Sequence, residues 1–218
     1  MIKAVIFDMD GVIINSEVLW DDAMSEVLAR YGAKYTRELK LLCMGKSIEE
    51  TVEIKKKAYN LNVDSKKLAI EKLSAVLERY DKCLEFMPGF LKLFEQLKQR
   101  KVRMCIATAS DRTLMDAVDK KLNLTDLFYG NVVVKTPNHK SKPSPDLFLD
   151  AASKLNVKPE ECVVIEDSPN GVEAALSAGM KCIALTSSTT SDKLQKADLV
   201  VNSLEEINHN VIGILGLI

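Results

Sequence analysis

The chain has 218 residues, 47% of them hydrophobic, enough to bury a sizeable core in one large domain or in a domain carrying an insertion. With 30 basic against 31 acidic residues it has a net charge of −1 and no bulk attraction for nucleic acid or an anionic membrane. No apolar run approaches the roughly 20 residues that span a bilayer, the first residues lack the basic and apolar regions of a signal peptide, and the five Cys form no C-x-x-C pair, so reduced thiols in the cytoplasm are expected.

The first element is an apolar run, Ala4–Phe7, which reads as a buried strand ending in Asp8-Met9-Asp10-Gly11. Two carboxylates this close need a cation or a shared proton to offset their repulsion, although an acidic turn can also cap a strand for structural reasons alone. Residues 16 to 84 then follow helical spacing. Trp20, Met24, Val27, Leu28 and Tyr31 form one stripe, and Ala69, Leu73, Val76, Leu77, Tyr80 and Leu84 another, with Lys and Glu on the remaining faces as solvated surface. Pro88-Gly89 opens a helix with Phe90, Leu93, Phe94 and Leu97 inward. Beyond it the runs Val102–Ala107, Val132–Val134, Cys162–Ile165, Cys182–Leu185 and Leu199–Val201 alternate with helical patterns, which implies a parallel sheet. Cys105, Cys162 and Cys182 sit inside these runs as small hydrophobes. Ser144-Pro145 and Ser168-Pro169 each place a capping residue before a first-turn proline, and Gly179 marks a helix end. The apolar residues 211–218 read as a tail docked into the core. The expected organisation is a Rossmann-like α/β core from residues 1–15 and 85–218, with an α-helical domain of residues 16–84 inserted after the first strand.

Ligands of open parallel sheets bind beyond the carboxyl ends of the strands. At those ends this chain offers Asp8 and Asp10, then Thr108-Ala109-Ser110-Asp111, then Glu166-Asp167-Ser168, with Ser141-Lys142-Pro143-Ser144-Pro145-Asp146 between the last two. Acids from two strand ends make a hard oxygen site suited to Mg²⁺. The Thr108 hydroxyl and the N–H groups at the following helix start suit phosphate, and Lys142 adds a compact positive charge. Alone, Lys142 would read as an ordinary exposed lysine; the flanking prolines and the sheet edge favour a role in the site.

The segments Phe7-Asp-Met-Asp-Gly-Val12, Ala107-Thr-Ala-Ser110, Ser141-Lys-Pro-Ser-Pro-Asp146 and Ile165-Glu-Asp-Ser-Pro-Asn-Gly171 together resemble, in order, the motifs of the haloacid dehalogenase superfamily. The likeness is strongest to its branch of β-phosphoglucomutases and phosphosugar phosphatases, and the helical insertion stands where that branch has its cap domain. The resemblance implies that Asp8 is the nucleophile and forms an aspartyl-phosphate, and that Asp10 is the general acid and base. It implies that Asp8, the Asp10 carbonyl, Asp167 and Glu166 hold Mg²⁺, and that Thr108, the Ala109 N–H and Lys142 hold the phosphoryl group. Gly11 would allow a tight turn beside the nucleophile. Ser16, Trp20, Gly45 and Lys46 would lie toward the substrate. A general acid two residues after the nucleophile favours an alkoxide leaving group over a halide.

The implied activity is Mg²⁺-dependent hydrolysis of a small phosphate ester by a cytoplasmic protein, monomeric or weakly dimeric. A phosphosugar mutase is the nearest alternative. Where that branch has a His this chain has Trp20, and after Gly45 it has Lys46-Ser47 in place of an Arg, which favours hydrolysis. Many relatives carry an acid where this chain has Asn15. Gly45-Lys46-Ser47 lacks the upstream Gly and the strand of a P-loop. His139 and His209 read as surface residues. Alternatives of another class are a phospho-receiver domain, which is shorter and uses a later strand, and a relative that binds without catalysing.

Overall fold

The computed structural model describes residues 1–43 and 48–207. The described residues of 1–15 and from 85 onward form one compact unit, and those of Ser16–Leu84 a second. The apolar tail and His209 lie outside the described residues.

The first unit is built on six parallel strands: β1 Ala4–Phe7, β2 Arg103–Thr108, β3 Val132–Val134, β4 Cys162–Glu166, β5 Lys181–Leu185 and β6 Leu199–Val201. Their order in the sheet is β3-β2-β1-β4-β5-β6. Helices α1 Glu17–Ala29, α2 Arg37–Cys43, α3 Ile48–Tyr59 and α4 Ser65–Cys83 follow β1. Then α5 Phe90–Gln99 leads into β2, α6 Arg112–Leu122 and α7 Leu124–Leu127 join β2 to β3, α8 Asp146–Lys154 joins β3 to β4, and α9 Pro169–Ser177 joins β4 to β5. The α/β reading of the sequence holds, with strand limits within a residue of those expected.

The central strand is apolar throughout because both of its faces are covered, as parallel sheets require. Ala4 and Ile6 belong to a buried cluster with Leu147 and Phe148 of α8 and Val172 and Ala175 of α9. Phe7 faces the other way, with ring centroids 5.7 Å from Phe90 and 5.8 Å from Phe128. Cys105, Cys162 and Cys182 are fully buried among the apolar residues. Burial pushes the Cys105 and Cys162 thiols up to about 12.

Helix termini follow sequence cues with one exception. Ser168 caps α9 by accepting from the Gly171 N–H at 3.0 Å, with Pro169 in the first turn. Gly179, at φ +75, closes it: Gly179 N–H donates to Leu176 O and Met180 N–H to Ala175 O, the paired bonds of a left-handed helix end. At α8 the expectation is corrected. Pro145 occupies the cap position, and Ser144 Oγ donates to Asp146 Oδ1 at 2.6 Å, so the hydroxyl goes to a carboxylate in place of the helix amides.

Chain leaves and re-enters the core along a short antiparallel pairing. Asn15 N–H donates to Glu85 O at 3.1 Å, Met87 N–H donates to Ile13 O at 2.8 Å, and Ile14 pairs with Phe86 between them.

Within the second unit α1 packs on α4, α4 on α3 and α3 on α2. Met24, Val27 and Leu28 of α1 are buried as their spacing predicts. In α4 the buried line runs through Leu68, Ala75, Val76 and Tyr80, turned from the stripe centred on Leu73 and Leu77, which are half-buried. The Tyr80 hydroxyl accepts from Trp20 Nε1 at 3.0 Å, which anchors the turned face. Among the described residues no helix is long and apolar enough to cross a membrane.

Candidate active site

The strand order reverses direction at β1. The chain moves outward through β2 and β3, then returns to the other side of β1 for β4, β5 and β6. Such a reversal opens a crevice at the carboxyl ends of the two flanking strands. Register decides what enters it. Phe7 is paired with Ile165, and Asp8 N–H donates to Ile165 O at 2.9 Å, so Asp8 lies level with Glu166. On the other side Phe7 is paired with Ile106, which brings the end of β2, Thr108, to the same edge.

Asp8, Lys142 and Glu166 form a buried ion-pair network. Lys142 Nζ donates to Asp8 Oδ1 at 2.5 Å and to Glu166 Oε1 at 2.6 Å, and stands 4.9 Å from the Phe148 ring centroid. Glu166 Oε2 accepts from the N–H groups of Asp167 and Ser168, both at 2.7 Å, and from Ser168 Oγ at 3.0 Å. Asp167 stands beside them, and oxygens of Asp8, Glu166 and Asp167 lie within 4.8 Å of one another.

The charges do not balance. Among the described residues, three buried carboxylates face one ammonium. Burial works against the Lys142 charge, but Asp8 and Glu166 outweigh it and hold the ammonium above its ordinary range. Burial pushes Asp8 up to about 7, opposed by Lys142 and reinforced by Glu166 and Asp10. Burial, then Glu166 and Asp8, raise Asp167 well above the usual carboxylate range. An all-oxygen donor set with uncompensated negative charge fits a hard divalent cation.

Two glycines make the packing possible. Gly11, at φ +74, lies so close to Asp167 that a Cβ there would stand 1.9 Å from Asp167 Oδ2. At Gly171 a Cβ would stand 1.8 Å from Glu166 Cδ, so the first turn of α9 must be bare for Glu166 to lie against it.

The remaining sequence-predicted residues divide into three groups. Asp10 is half-buried, and its Oδ2 accepts from Ser110 Oγ at 2.8 Å. Thr108 is buried, its Oγ1 accepting from Ser110 N–H at 3.0 Å, and Ala109 after it is exposed just before α6. Ser16 and Trp20 belong to the helical unit. Ser16 is buried at the start of α1, and Trp20 is half-buried with Lys72 Nζ 4.6 Å from its ring centroid. Gly45 and Lys46 lie outside the described residues.

Sequence reasoning missed Ser187 and Ser188. Ser187 Oγ donates to Gly11 O at 2.6 Å and stands 3.3 Å from Asp167 Oδ2, and Ser188 Oγ donates to Asp167 O at 2.8 Å. The signal was present as the hydroxyl run Thr186-Ser-Ser-Thr-Thr190, directly after β5 at this same sheet edge. His139, read as a surface residue, is half-buried instead. Its Nδ1 accepts from Thr136 N–H at 3.1 Å and its Nε2 lies 3.5 Å from Asp150 Oδ2, which braces the loop leading to Lys142.

Comparison with known proteins agrees with this geometry. Residues 2–179 match the family model of haloacid dehalogenase-like hydrolases. The phosphorylated carbohydrates phosphatase of Thermotoga maritima is 35% identical over 186 residues, covering 83% of this chain and 83% of that protein. Hexitol phosphatase B of Escherichia coli K12 is 30% identical over 210 residues, covering 94% of each. Among solved structures, a family IA, variant 3 hydrolase of Entamoeba histolytica superposes with a TM-score of 0.87 at 28% identity, over 98% of this chain and 99% of the other. A parallel sheet of this order, acids at its switch point and a family match over most of the length lead to one conclusion: the chain belongs to the haloacid dehalogenase-like hydrolase family.

Proposed function

We propose that this chain is a Mg²⁺-dependent phosphatase that hydrolyses monoesters of small metabolites, phosphosugars foremost. The observation that carries the reading is the Asp8–Lys142 pair. A carboxylate able to attack phosphorus is held 2.5 Å from a buried ammonium at the end of the central strand, with Asp167 beside it. The relatives named as phosphatases of phosphorylated carbohydrates and of hexitols support the substrate class.

In the proposed reaction the Asp8 carboxylate forms a bond to phosphorus as the ester P–O bond breaks, and Asp10 gives its proton to the departing alkoxide. Asp10 then takes a proton from water, the water oxygen attacks the aspartyl-phosphate, and inorganic phosphate leaves with Asp8 restored. Ser110, through its bond to Asp10 Oδ2, orients the acid. Lys142, the Thr108 hydroxyl and the Ala109 N–H hold the phosphoryl oxygens. Asp8, the Asp10 carbonyl, Asp167 and Glu166 would hold Mg²⁺, which supplies charge compensation for the phosphoryl group and its transition state. The helical unit Ser16–Leu84 acts as the cap, with Ser16 and Trp20 as its candidates for substrate contact. The free buried thiols fit a reducing compartment such as the cytoplasm.

Phosphate release from sugar, polyol and nucleoside monophosphates, with Mg²⁺ and then with chelator, tests the reading. Chelator-sensitive hydrolysis of at least one ester is expected. Full activity in Asp8→Asn, or isomerisation of a sugar phosphate without phosphate release, would overturn it.

A further inference from the structure

We infer that Ser187 is a positioning residue of the cation site, acting through Asp167. The Asp167 carboxylate is pressed onto the Gly11 turn, its Oδ2 occupying the space a side chain at Gly11 would need. Something must fix the carboxylate against that turn, because β1 and β4 end there and the main chain beyond each goes its own way. Ser187 Oγ meets both sides at once, 2.6 Å from Gly11 O and 3.3 Å from Asp167 Oδ2. Its single proton is shared between these two acceptors, mostly with the nearer carbonyl, and the shared donor holds the carboxylate and the turn at one separation.

The loop that carries Ser187 is itself anchored. Thr186 N–H donates to Val201 O at 3.0 Å, and Thr186 Oγ1 donates to Asn202 Oδ1 at 3.0 Å, which ties the loop to β6 and the residue after it. Ser188 Oγ fixes the Asp167 main chain by donating to its carbonyl at 2.8 Å. Asp167 is therefore gripped at its side chain and its backbone by consecutive hydroxyls from a third strand end. Partners that orient a metal ligand in this way change metal affinity by about 10–100-fold when removed.

This inference rests on reading Asp167 as a metal ligand, as in the proposed function, and its test uses Mg²⁺ alone with no ester present. Calorimetric titration of the chelator-treated full chain gives the affinity, and the thermal midpoint without metal reports the fold. Ser187→Ala and the near-isosteric Ser187→Cys are both expected to weaken Mg²⁺ binding by about tenfold. Ser187→Thr, which restores the hydroxyl, is expected to stay within about threefold of the wild type. If Ser187→Ala does not fold, Ser187→Cys carries the test. Affinities of the Ala or Cys variant within twofold of the wild type would overturn the inference. So would a Thr variant as weak as Ala, or a wild-type chain that takes up no Mg²⁺. A chain that binds Mg²⁺ with this dependence on Ser187 but hydrolyses no ester would refute the phosphatase reading and leave the inference standing.

Discussion

The first turn of α9 and the Glu166 carboxylate occupy adjoining space with nothing to spare: a methyl group at Gly171 would lie 1.8 Å from Glu166 Cδ and 1.9 Å from its Oε1. Gly171 has no unusual φ, so its requirement is steric alone. Gly179 is the opposite case, with φ +75 and open space where its side chain would go. Gly171→Ala should therefore displace Glu166 and cost about 2 kcal/mol or more through overpacking. Gly179→Ala should cost about 1 kcal/mol through backbone strain and leave the site intact. Urea unfolding measures both, and Mg²⁺ titration should show a loss only for Gly171→Ala.

The raised pKa of Asp8 makes the metal-free protein sensitive to pH. Asp8 titrates near its ordinary 3.8 in the unfolded chain and at about 7 in the fold. The folded state thus binds the extra proton between those values, and stability falls as pH rises through that window, reaching its floor above about 7. Thermal melts in chelator from pH 5 to pH 8 should show this decline, and Asp8→Asn should flatten it. Added Mg²⁺ should raise the midpoint more at pH 8 than at pH 5. The same Asp8→Asn variant should lower turnover by at least about a thousandfold, because the proposed reaction loses its nucleophile.

Among the described residues, Lys142 is the one ammonium in the network of Asp8 and Glu166. Lys142→Met keeps the length of the side chain and removes the charge. Leaving both carboxylates without that partner should cost about 3–5 kcal/mol at neutral pH in chelator, less at pH 5. Inhibition by free phosphate should weaken in parallel, as steady-state kinetics would read.

How much of this was legible in the sequence depended on distance along the chain. Asp8, Thr108 and Glu166-Asp167 stand out because they end or follow an apolar run, Lys142 because it stands just before a proline-marked helix start, and parallel strands bring such ends to one edge. Ser187 and Ser188 also follow an apolar run, but a hydroxyl there says less than an acid or a lysine does. Serines are common in loops, and only the pairing of β4 with β5 brings these two against Asp167. Ser144 misled for a different reason. Its cap-like position is overridden by Asp146, a stronger acceptor two residues away.

A change at Ser110 would separate the proposed proton transfer from the proposed metal binding. Its hydroxyl reaches Asp10 Oδ2 at 2.8 Å, while its own N–H donates to Thr108 Oγ1. Ser110→Ala should lower kcat by about tenfold, the scale of one net hydrogen bond that orients the proposed acid, Asp10. Mg²⁺ affinity should stay unchanged. A fall in affinity equal to the fall in kcat would show that Asp10 and the cation site move as one.

The antiparallel pairing of Ile13–Asn15 with Glu85–Met87 has a consequence for how such a protein can change. Both ends of the insertion are stitched together within the core, so the sheet does not rely on residues 16–84 to close the chain. A short turn could bridge that gap at little cost in loop entropy. The helical unit is in that sense a cassette. Its length could change while the strands of the sheet keep their register.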